Sequence, residues 1–236
     1  MPSHTISRCT VADSAAIAHN NIPAFWQNDN WRFSWSHRTL SQHLAEIVKR
    51  APRNLINNRS IMRHQMAIDP ETGRILGYAR WKLPVSHATT ADGLPVWPEA
   101  LVPVVSPEEE AEIRRVAEMA VWDPNPAADG VEDVAPKCRA WIAVLLTNLH
   151  ADLDYLAVHP DNQGKGIVTA LVQSGMDRAR ELGLDIFVLA FECGLGVYKR
   201  LGFRLDKDFT LDDSKYGGPG EYHFYFMTYE SSKSDV

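Results

Sequence analysis

Two closely spaced glycines lie where a short turn leads from an apolar segment into a helical one. Gly164 and Gly166 follow the segment 151–158, whose pattern predicts a strand, and precede 167–182, whose apolar residues recur at helical spacing. Because glycine has no side chain, backbone N–H groups can turn inward at the positive end of a helix. This arrangement of strand, glycine turn and helix is suited to binding a phosphate group.

The spacing of the glycines excludes two common phosphate-binding motifs. A P-loop requires GxxxxGK[ST], and a dinucleotide-binding fold requires GxGxxG near the start of a βαβ unit. The sequence QGKGIV at 163–168 matches neither pattern. A GxG turn alone is as often a simple turn as a ligand site, so the surrounding residues must decide its role.

Two aspartates in the strand before the glycine turn are candidates for acid–base chemistry. Asp152 and Asp154 alternate with Leu153 and Tyr155, and residues two apart in a strand face the same side. Two close carboxylates would raise the pKa of one of them toward the range of a useful base. The alternative is that one or both are exposed near the start of the strand or form ion pairs.

The elements preceding this strand are predicted from periodicity and capping. A strand at 5–9 is followed by a helix with Thr10 as N-cap, which is expected to end near Asn21. Apolar spacing predicts a second helix at 37–49, and Pro52 is expected to end it.

A hairpin and a proline-rich segment come next. Apolar strands at 60–68 and 74–83 flank the turn sequence DPETG. Residues 84–136 contain eight of the chain's 14 prolines and are interpreted as an insertion. A helix at 107–121, with Ser106 as N-cap, is predicted inside the insertion.

The remaining segments complete a mixed set of elements. An apolar stretch at 140–149 is predicted as a helix. Beyond the glycine turn, a strand at 186–191 and a short helix at 194–201 precede two last strands, 203–211 and 222–229.

Composition limits the classes of function. The chain has 236 residues, 45% of them hydrophobic and 23% charged, with a net charge of −6. An acidic chain without a basic run disfavours nucleic-acid binding. Three widely spaced cysteines without metal-ligand spacing predict no metal site and a reducing compartment. Without a long apolar segment or a leader pattern, we expect a cytoplasmic protein with no membrane contact.

Three short sequences, taken together, resemble the GNAT superfamily of acyl-CoA-dependent N-acetyltransferases. They are LAVHP at 156–160, QGKGI at 163–167 and YKRLGF at 198–203. QGKGI is similar to the family's Q/R-G-x-G/A pyrophosphate loop, and YKRLGF is similar to its Y-x-x-x-G-F helix end. The longer family pattern would place Gln or Arg at Asp161, a departure that affects contact detail only. The diagnostic span is 152–203, and the insertion at 84–136 has no family counterpart.

The resemblance implies an α/β (α+β) fold with a mixed, mostly antiparallel sheet of six or seven strands. The sheet would be splayed between the strands 151–158 and 186–191 and flanked by helices on both faces. Residues 1–236 would form a single N-acetyltransferase domain that includes the insertion.

The resemblance also implies acetyl-CoA as cosubstrate, without a metal. Backbone amides at 163–168 would bind the pyrophosphate, and the backbone of 156–158 would pair with the pantetheine arm. The implied cofactor-binding residues are Leu156, Ala157, Val158, Gln163, Gly164, Lys165, Gly166, Ile167 and Val168.

Acetyl transfer to an amine requires a base, a stabilised oxyanion and a proton for the departing thiolate. In the family, a tyrosine matching Tyr198 lies close to the thioester sulfur, so Tyr198 is the expected donor; otherwise it is a packed aromatic residue. The amide of Val158 is the expected oxyanion donor. Candidate bases are Asp154, Asp152 and Glu192.

The expected acceptor is a primary amine of a small molecule, such as a metabolite or toxin, which attacks directly in a ternary complex. Six tryptophans are candidates for its wall, although each one is more often a core residue: Trp26, Trp31, Trp35, Trp81, Trp97 and Trp122. A protein N-terminal or lysine acetyltransferase and a non-catalytic acyl-CoA-binding module are the alternatives. The protein would be a monomer or a homodimer.

Overall fold

The computed structural model describes residues 4–128 and 150–231. Its strands are β1 (Thr5–Arg8), β2 (Met62–Ile68), β3 (Ile75–Lys82), β4 (His150–Val158), β5 (Asp185–Phe191), β6 (Arg204–Asp212) and β7 (Glu221–Tyr229). They form one sheet in the order β1-β2-β3-β4-β5-β7-β6. Only the β4–β5 pair is parallel. The predicted mixed, mostly antiparallel sheet is confirmed, with seven strands.

Helices cover both faces of this sheet. They are α1 (Ser14–Trp26), α2 (Asp29–Phe33), α3 (Leu40–Ile56), α4 (Pro107–Glu118), α5 (Ile167–Glu181) and α6 (Glu192–Arg200). On β3, Tyr78 packs with Ile17 of α1 and Leu55 of α3, whereas Trp81 packs with Leu171 of α5. An odd number of positions separates Tyr78 from Trp81, so they point to opposite faces of the strand.

The sheet opens between its two central strands. β4 pairs with β5 only over His150–Leu153 and Asp185–Val188. Residues 154–158 of β4 continue to pair with β3 apart from one bulged position, and residues 189–191 of β5 continue to pair with β7. The carboxyl ends of β4 and β5 therefore diverge, which confirms the predicted splay and leaves a cleft between them.

Two helices extend beyond their predicted ends. α1 continues past Asn21 and Pro23, and α3 continues past Pro52. A proline inside a helix removes one backbone hydrogen bond, but Ala51 and Leu55 on the last turns of α3 are buried. Burial of an apolar face supplies most of a helix's stability in a folded protein, so it outweighs the local effect of proline.

A buried arginine of β2 fixes the start of the segment that follows β3 through hydrogen bonds to its backbone. Arg63 of β2 is fully buried, and its guanidinium donates hydrogen bonds to the carbonyls of Val96 at 2.6 Å and Ala88 at 3.0 Å. Further along, α4 is confirmed with Ser106 as its cap, whose hydroxyl accepts from the Glu109 amide at 3.1 Å. The helix predicted at 140–149 lies outside the described residues.

Helix α5 lies close to β3 because Gly175 faces the indole ring of Trp81. A Cβ at position 175 would lie 2.0–2.4 Å from three ring atoms, and Trp81 is fully buried. We expect Gly175→Ala to lower the free energy of unfolding by about 2–3 kcal/mol through overpacking. Urea denaturation measures this change, with exposed Thr169→Ala on the same helix as the control. An unchanged midpoint for Gly175→Ala would show that the ring is free to move aside.

Candidate active site

The glycine turn has the conformation that anion binding requires. Gly164 and Gly166 have φ values of +74° and +77°, in the left-handed region that favours glycine. A Cβ at either position would meet nothing within 4 Å among the described residues. Glycine is therefore favoured at both positions by the positive φ and not by lack of space. Gly166 is the N-cap of α5 and supplies no side chain to its first N–H groups. These donors remain available for a phosphate.

Side chains of the turn fix it to the rest of the protein. Lys165 donates from Nζ to Oδ1 of Asn162 at 3.1 Å. Gln163 donates from Nε2 to Oε1 of Gln27, just beyond α1, at 3.2 Å. The Nδ2 group of Asn162 is buried and has no hydrogen-bond partner among the described residues. The turn is therefore positioned by its own side chains as well as by the helix that follows.

A buried asparagine of α1 holds the end of β4. Asn20 donates from Nδ2 to the carbonyl of Ala157 at 3.2 Å, and its Oδ1 accepts from the His159 amide at 3.2 Å. It is 3% exposed. The carbonyl of Ala157 thus already has a partner within the protein, and the start of the turn is tied to α1.

The two aspartates of β4 lie on one face, each beside a cation of β3. A register shift between Arg80 and Trp81 makes Asp154 the additional residue of a β-bulge. Oδ2 of Asp154 accepts from Nε of Arg80 at 2.5 Å, and Oδ2 of Asp152 lies 3.9 Å from Nζ of Lys82. The two carboxylates share a face, as the alternation predicts. Each also forms an ion pair, which was the alternative to a role as base.

Burial, more than repulsion from Asp154, sets the pKa of the Asp152 carboxyl. Its pKa rises from 3.8 to about 6, chiefly because burial disfavours the charged form; Lys82 opposes the rise, and Asp154 adds to it. The side chain of Asp154 is more exposed, at 34% against 13% for Asp152. The charged neighbours that shift the pKa of Asp152 do not include Glu192.

The other catalytic candidates lie on α6, which follows β5 across the cleft. Tyr198 is 5% exposed and packs against Gly194 and Phe203. Burial, with a smaller effect from Cys193, raises the pKa of its phenol, which therefore remains protonated. Within residues 4–128 and 150–231 its hydroxyl has no hydrogen-bond partner. Glu192 is the exposed first residue of α6.

The tryptophans fall into two separate groups. Four of them surround buried His43, with ring centroids 4.2–6.4 Å from its imidazole: Trp26, Trp31, Trp35 and Trp122. Burial lowers the pKa of His43 to about 4. Trp81 and Trp97 instead belong to the core on the α5 face, which is the role expected more often for each of the six tryptophans.

An open cavity of about 580 Å³ adjoins the aromatic group. Its lining includes Trp26 and Phe33 from the α1–α2 region and Pro219 from the connection between β6 and β7. None of the predicted catalytic residues lines it. The cavity therefore borders the aromatic segment rather than the cleft between β4 and β5.

Sequence reasoning missed the residues that surround the β4 aspartates. Arg80 and Lys82 alternate with Trp81 on β3, and this alternation was a usable signal that they share a face. Each pairs with an aspartate 70 or more positions later in the chain, and sequence patterns do not predict which distant residues pair. Asn20 carried no signal, since a polar residue in a helix is usually exposed.

Within the described parts of the chain, no helix is both long and apolar enough to span a membrane. Across those same residues, no three His, Cys, Asp or Glu side chains are grouped to hold a metal ion.

A split mixed sheet with a glycine turn at its opening is the architecture that the sequence resemblance implies. Residues 25–203 match the acetyltransferase (GNAT) family. The chain belongs to this family.

Two bacterial relatives match a shorter stretch. They are L-methionine sulfoximine/L-methionine sulfone acetyltransferases of Pseudomonas aeruginosa and Pseudomonas paraeruginosa, each 36% identical over 64 residues. The match covers 25% of this chain and 37% of each relative. The chain thus aligns with well under half the length of these proteins.

Two solved structures are similar over nearly the whole chain. One is a Corynebacterium glutamicum structure described as histone acetyltransferase HPA2 and related acetyltransferase, with a TM-score of 0.56, 17% identity and 99% of both chains covered. The other, from the yellow fever mosquito, is a proposed arylalkylamine N-acetyltransferase 7, with a TM-score of 0.59, 13% identity, and 97% of this chain and 87% of that chain covered. At these identities the likeness shows the fold alone.

Proposed function

We propose that this protein transfers an acetyl group from acetyl-CoA to the primary amine of a small molecule, by direct attack in a ternary complex. The observation that carries the proposal is the cleft between β4 and β5. The glycine turn follows the end of β4 that borders the cleft. Asp152, whose carboxyl has a pKa of about 6, lies on β4 just before the two strands part. The buried, protonated phenol of Tyr198 lies on α6, which follows β5.

The residues of the turn fit a coenzyme A pyrophosphate. The uncapped N–H groups at the start of α5 supply donors for a doubly charged group. Gly164 and Gly166 leave the space above the backbone open. Among residues 4–128 and 150–231, no strand neighbours the β5-facing edge of β4 beyond Leu153, and an extended pantetheine arm would lie along this edge. When bound, acetyl-CoA supplies the activated acetyl group as a thioester.

Three groups of the protein would carry out the proton and charge movements. Asp152 would accept the proton of the amine, directly or through water, because a base works best when its pKa lies near the working pH. The Val158 amide would donate to the thioester oxygen, on which negative charge develops. Tyr198 would give its phenolic proton to the departing sulfur. Asp154 is less suited to the base role because Arg80 already holds its carboxylate.

The relatives support a small-molecule acceptor. The Pseudomonas proteins matched over 64 residues act on L-methionine sulfoximine and L-methionine sulfone. In this chain, the carboxylates of β4 sit beside cations on the same face, so the face has little surplus negative charge to attract a polycationic peptide.

A thiol-release assay tests the proposal. Acetyl-CoA is offered with arylalkylamines, aliphatic polyamines, amino acids, and lysine or N-terminal peptides in turn. We expect release with a small amine. Release with peptides alone would make the protein a protein acetyltransferase, and tight coenzyme A binding without release for any member would favour a non-catalytic module.

The glycine turn gives a separate prediction for cofactor binding. Gly166→Ala is expected to weaken coenzyme A binding about tenfold or more, because a methyl group would enter the space that the phosphate needs. Left-handed backbone costs a non-glycine residue about 1–2 kcal/mol, so folding should survive. Gly183→Ala is the matched control: its φ is +64°, a Cβ there also meets nothing within 4 Å, and it follows the other end of α5. Equal affinities of the two variants in calorimetric titration would contradict phosphate binding at the turn.

A further inference from the structure

We propose that Arg80 binds an anionic group of the acceptor, so that the preferred substrate is an amine that also carries a carboxylate, as an amino acid does. This inference rests on the proposed acetyltransferase function and specifies its substrate class. It is carried by the way the structure holds the Arg80 guanidinium on the same face as Asp152.

The guanidinium of Arg80 is held on one edge and open on the other. Nε donates to Asp154 at 2.5 Å, and the cation lies 5.5 Å from the ring centroid of Tyr155. The two terminal amino groups donate no hydrogen bond to any residue within 4–128 and 150–231, and the side chain is 25% exposed. A planar fork that is already oriented loses little entropy when it binds a carboxylate through two bonds.

The charges of this face match a zwitterion. Arg80 and Lys82 supply two positive charges, and Asp152 and Asp154 supply two negative charges, arranged as two pairs across β3 and β4. A simple cationic amine would gain little from a face whose charges already balance. A molecule with an amine and a carboxylate would place its amine at Asp152 and its carboxylate at Arg80.

The spacing of these groups suits a compact amino acid. Lys82 is paired with Asp152 across the two strands, so Arg80 is the diagonal neighbour of Asp152. Both side chains belong to neighbouring positions on one face of β3 and β4, and both are long enough to lean toward each other. One small molecule can therefore contact Asp152 through its amine and Arg80 through its carboxylate.

Matched acceptors test this inference. L-methionine sulfone and its carboxamide have the same amine and side chain, and only the first has a carboxylate. We expect wild-type kcat/KM to favour the acid by about tenfold to a hundredfold, the range for a hydrogen-bonded charge pair. In Arg80→Gln this ratio should fall to near one, mainly through KM. In Arg74→Gln, the same change just before the other end of β3, the ratio should persist.

The outcomes separate this inference from the proposed function. If the wild-type protein acetylates the carboxamide as well as the acid, or if Arg80→Gln keeps the preference, Arg80 is not a carboxylate site although the enzyme is an N-acetyltransferase. If neither compound is acetylated, the proposed acceptor class fails as a substrate. Tryptophan fluorescence titration of the protein saturated with coenzyme A then still decides whether Arg80 is needed to bind the acid. Equal binding by wild type and Arg80→Gln would overturn the inference.

Discussion

Tyr198→Phe is expected to lower kcat by about 10²–10⁴-fold, the contribution typical of a positioned general acid, while coenzyme A affinity stays unchanged. The substitution removes only the hydroxyl. The ring should remain in place because it packs against Gly194 and Phe203. The phenol is buried and its pKa is raised, so it holds its proton at neutral pH until a thiolate develops beside it.

A different tyrosine provides the control for this experiment. Tyr229 also packs on Phe203, at 5.5 Å between ring centroids, but it is paired with Ile186, near the end of β5 remote from the cleft. Tyr229→Phe should keep activity within a few-fold. If Tyr198→Phe also keeps its activity, Tyr198 is a packed aromatic residue and the proton for the sulfur comes from elsewhere.

Asp152→Asn is expected to lower kcat/KM at pH 7 by about 100-fold or more and to remove the acidic limb of the pH profile. In the wild type, the carboxyl has a pKa of about 6 and must be ionised to accept a proton, so activity should rise as pH increases through 6. Asparagine cannot accept the proton. Measurement of kcat/KM for the amine from pH 5 to 8, at a saturating concentration of acetyl-CoA, tests this expectation.

The same substitution should make the protein more stable at neutral pH. Between pH 4 and 6 the folded state binds more protons at Asp152 than the unfolded state does, so wild-type stability falls as pH rises through this window. A pKa of about 6 instead of 3.8, a net shift that already includes the opposing effect of Lys82, corresponds to roughly 3 kcal/mol at pH 7. We therefore expect Asp152→Asn to raise the free energy of unfolding by up to about 3 kcal/mol at this pH.

Urea denaturation at pH 5 and pH 7 measures the effect of Asp152→Asn on stability separately from its effect on activity. The gain from Asp152→Asn should be smaller at pH 5, whereas exposed Asp208→Asn on β6 should change little at either pH. A variant that loses activity without gaining stability would show that Asp152 is not held in a disfavoured charged state. A variant that keeps the acidic limb would remove Asp152 from the base role.

Local patterns were enough to predict much of the architecture. Alternation and turn chemistry gave the β2–β3 hairpin, and the glycine turn between β4 and α5 has the left-handed backbone that its two glycines indicated. The splay of the sheet followed from the family resemblance rather than from periodicity. These features depend on residues close together in the chain or on a known sequence pattern.

Long-range contacts were not predictable in the same way. The pairing of Arg80 with Asp154 joins residues on separate strands, and only the sheet register reveals it. The role of Pro52 was predicted wrongly because burial of the helix around it is a tertiary effect. Trp81 and Trp26 are the same residue type in sequence, yet one packs under α5 and the other lines an open cavity.

The most direct measurement is a single turnover of wild-type protein with acetyl-CoA and L-methionine sulfone, followed by mass spectrometry of both protein and acceptor. Direct attack in the cleft predicts one acetyl group on the amine nitrogen of the acceptor and none on the protein, including Cys193. Recovery of the acetyl group on the protein, or of unmodified acceptor while coenzyme A remains bound, would contradict the account.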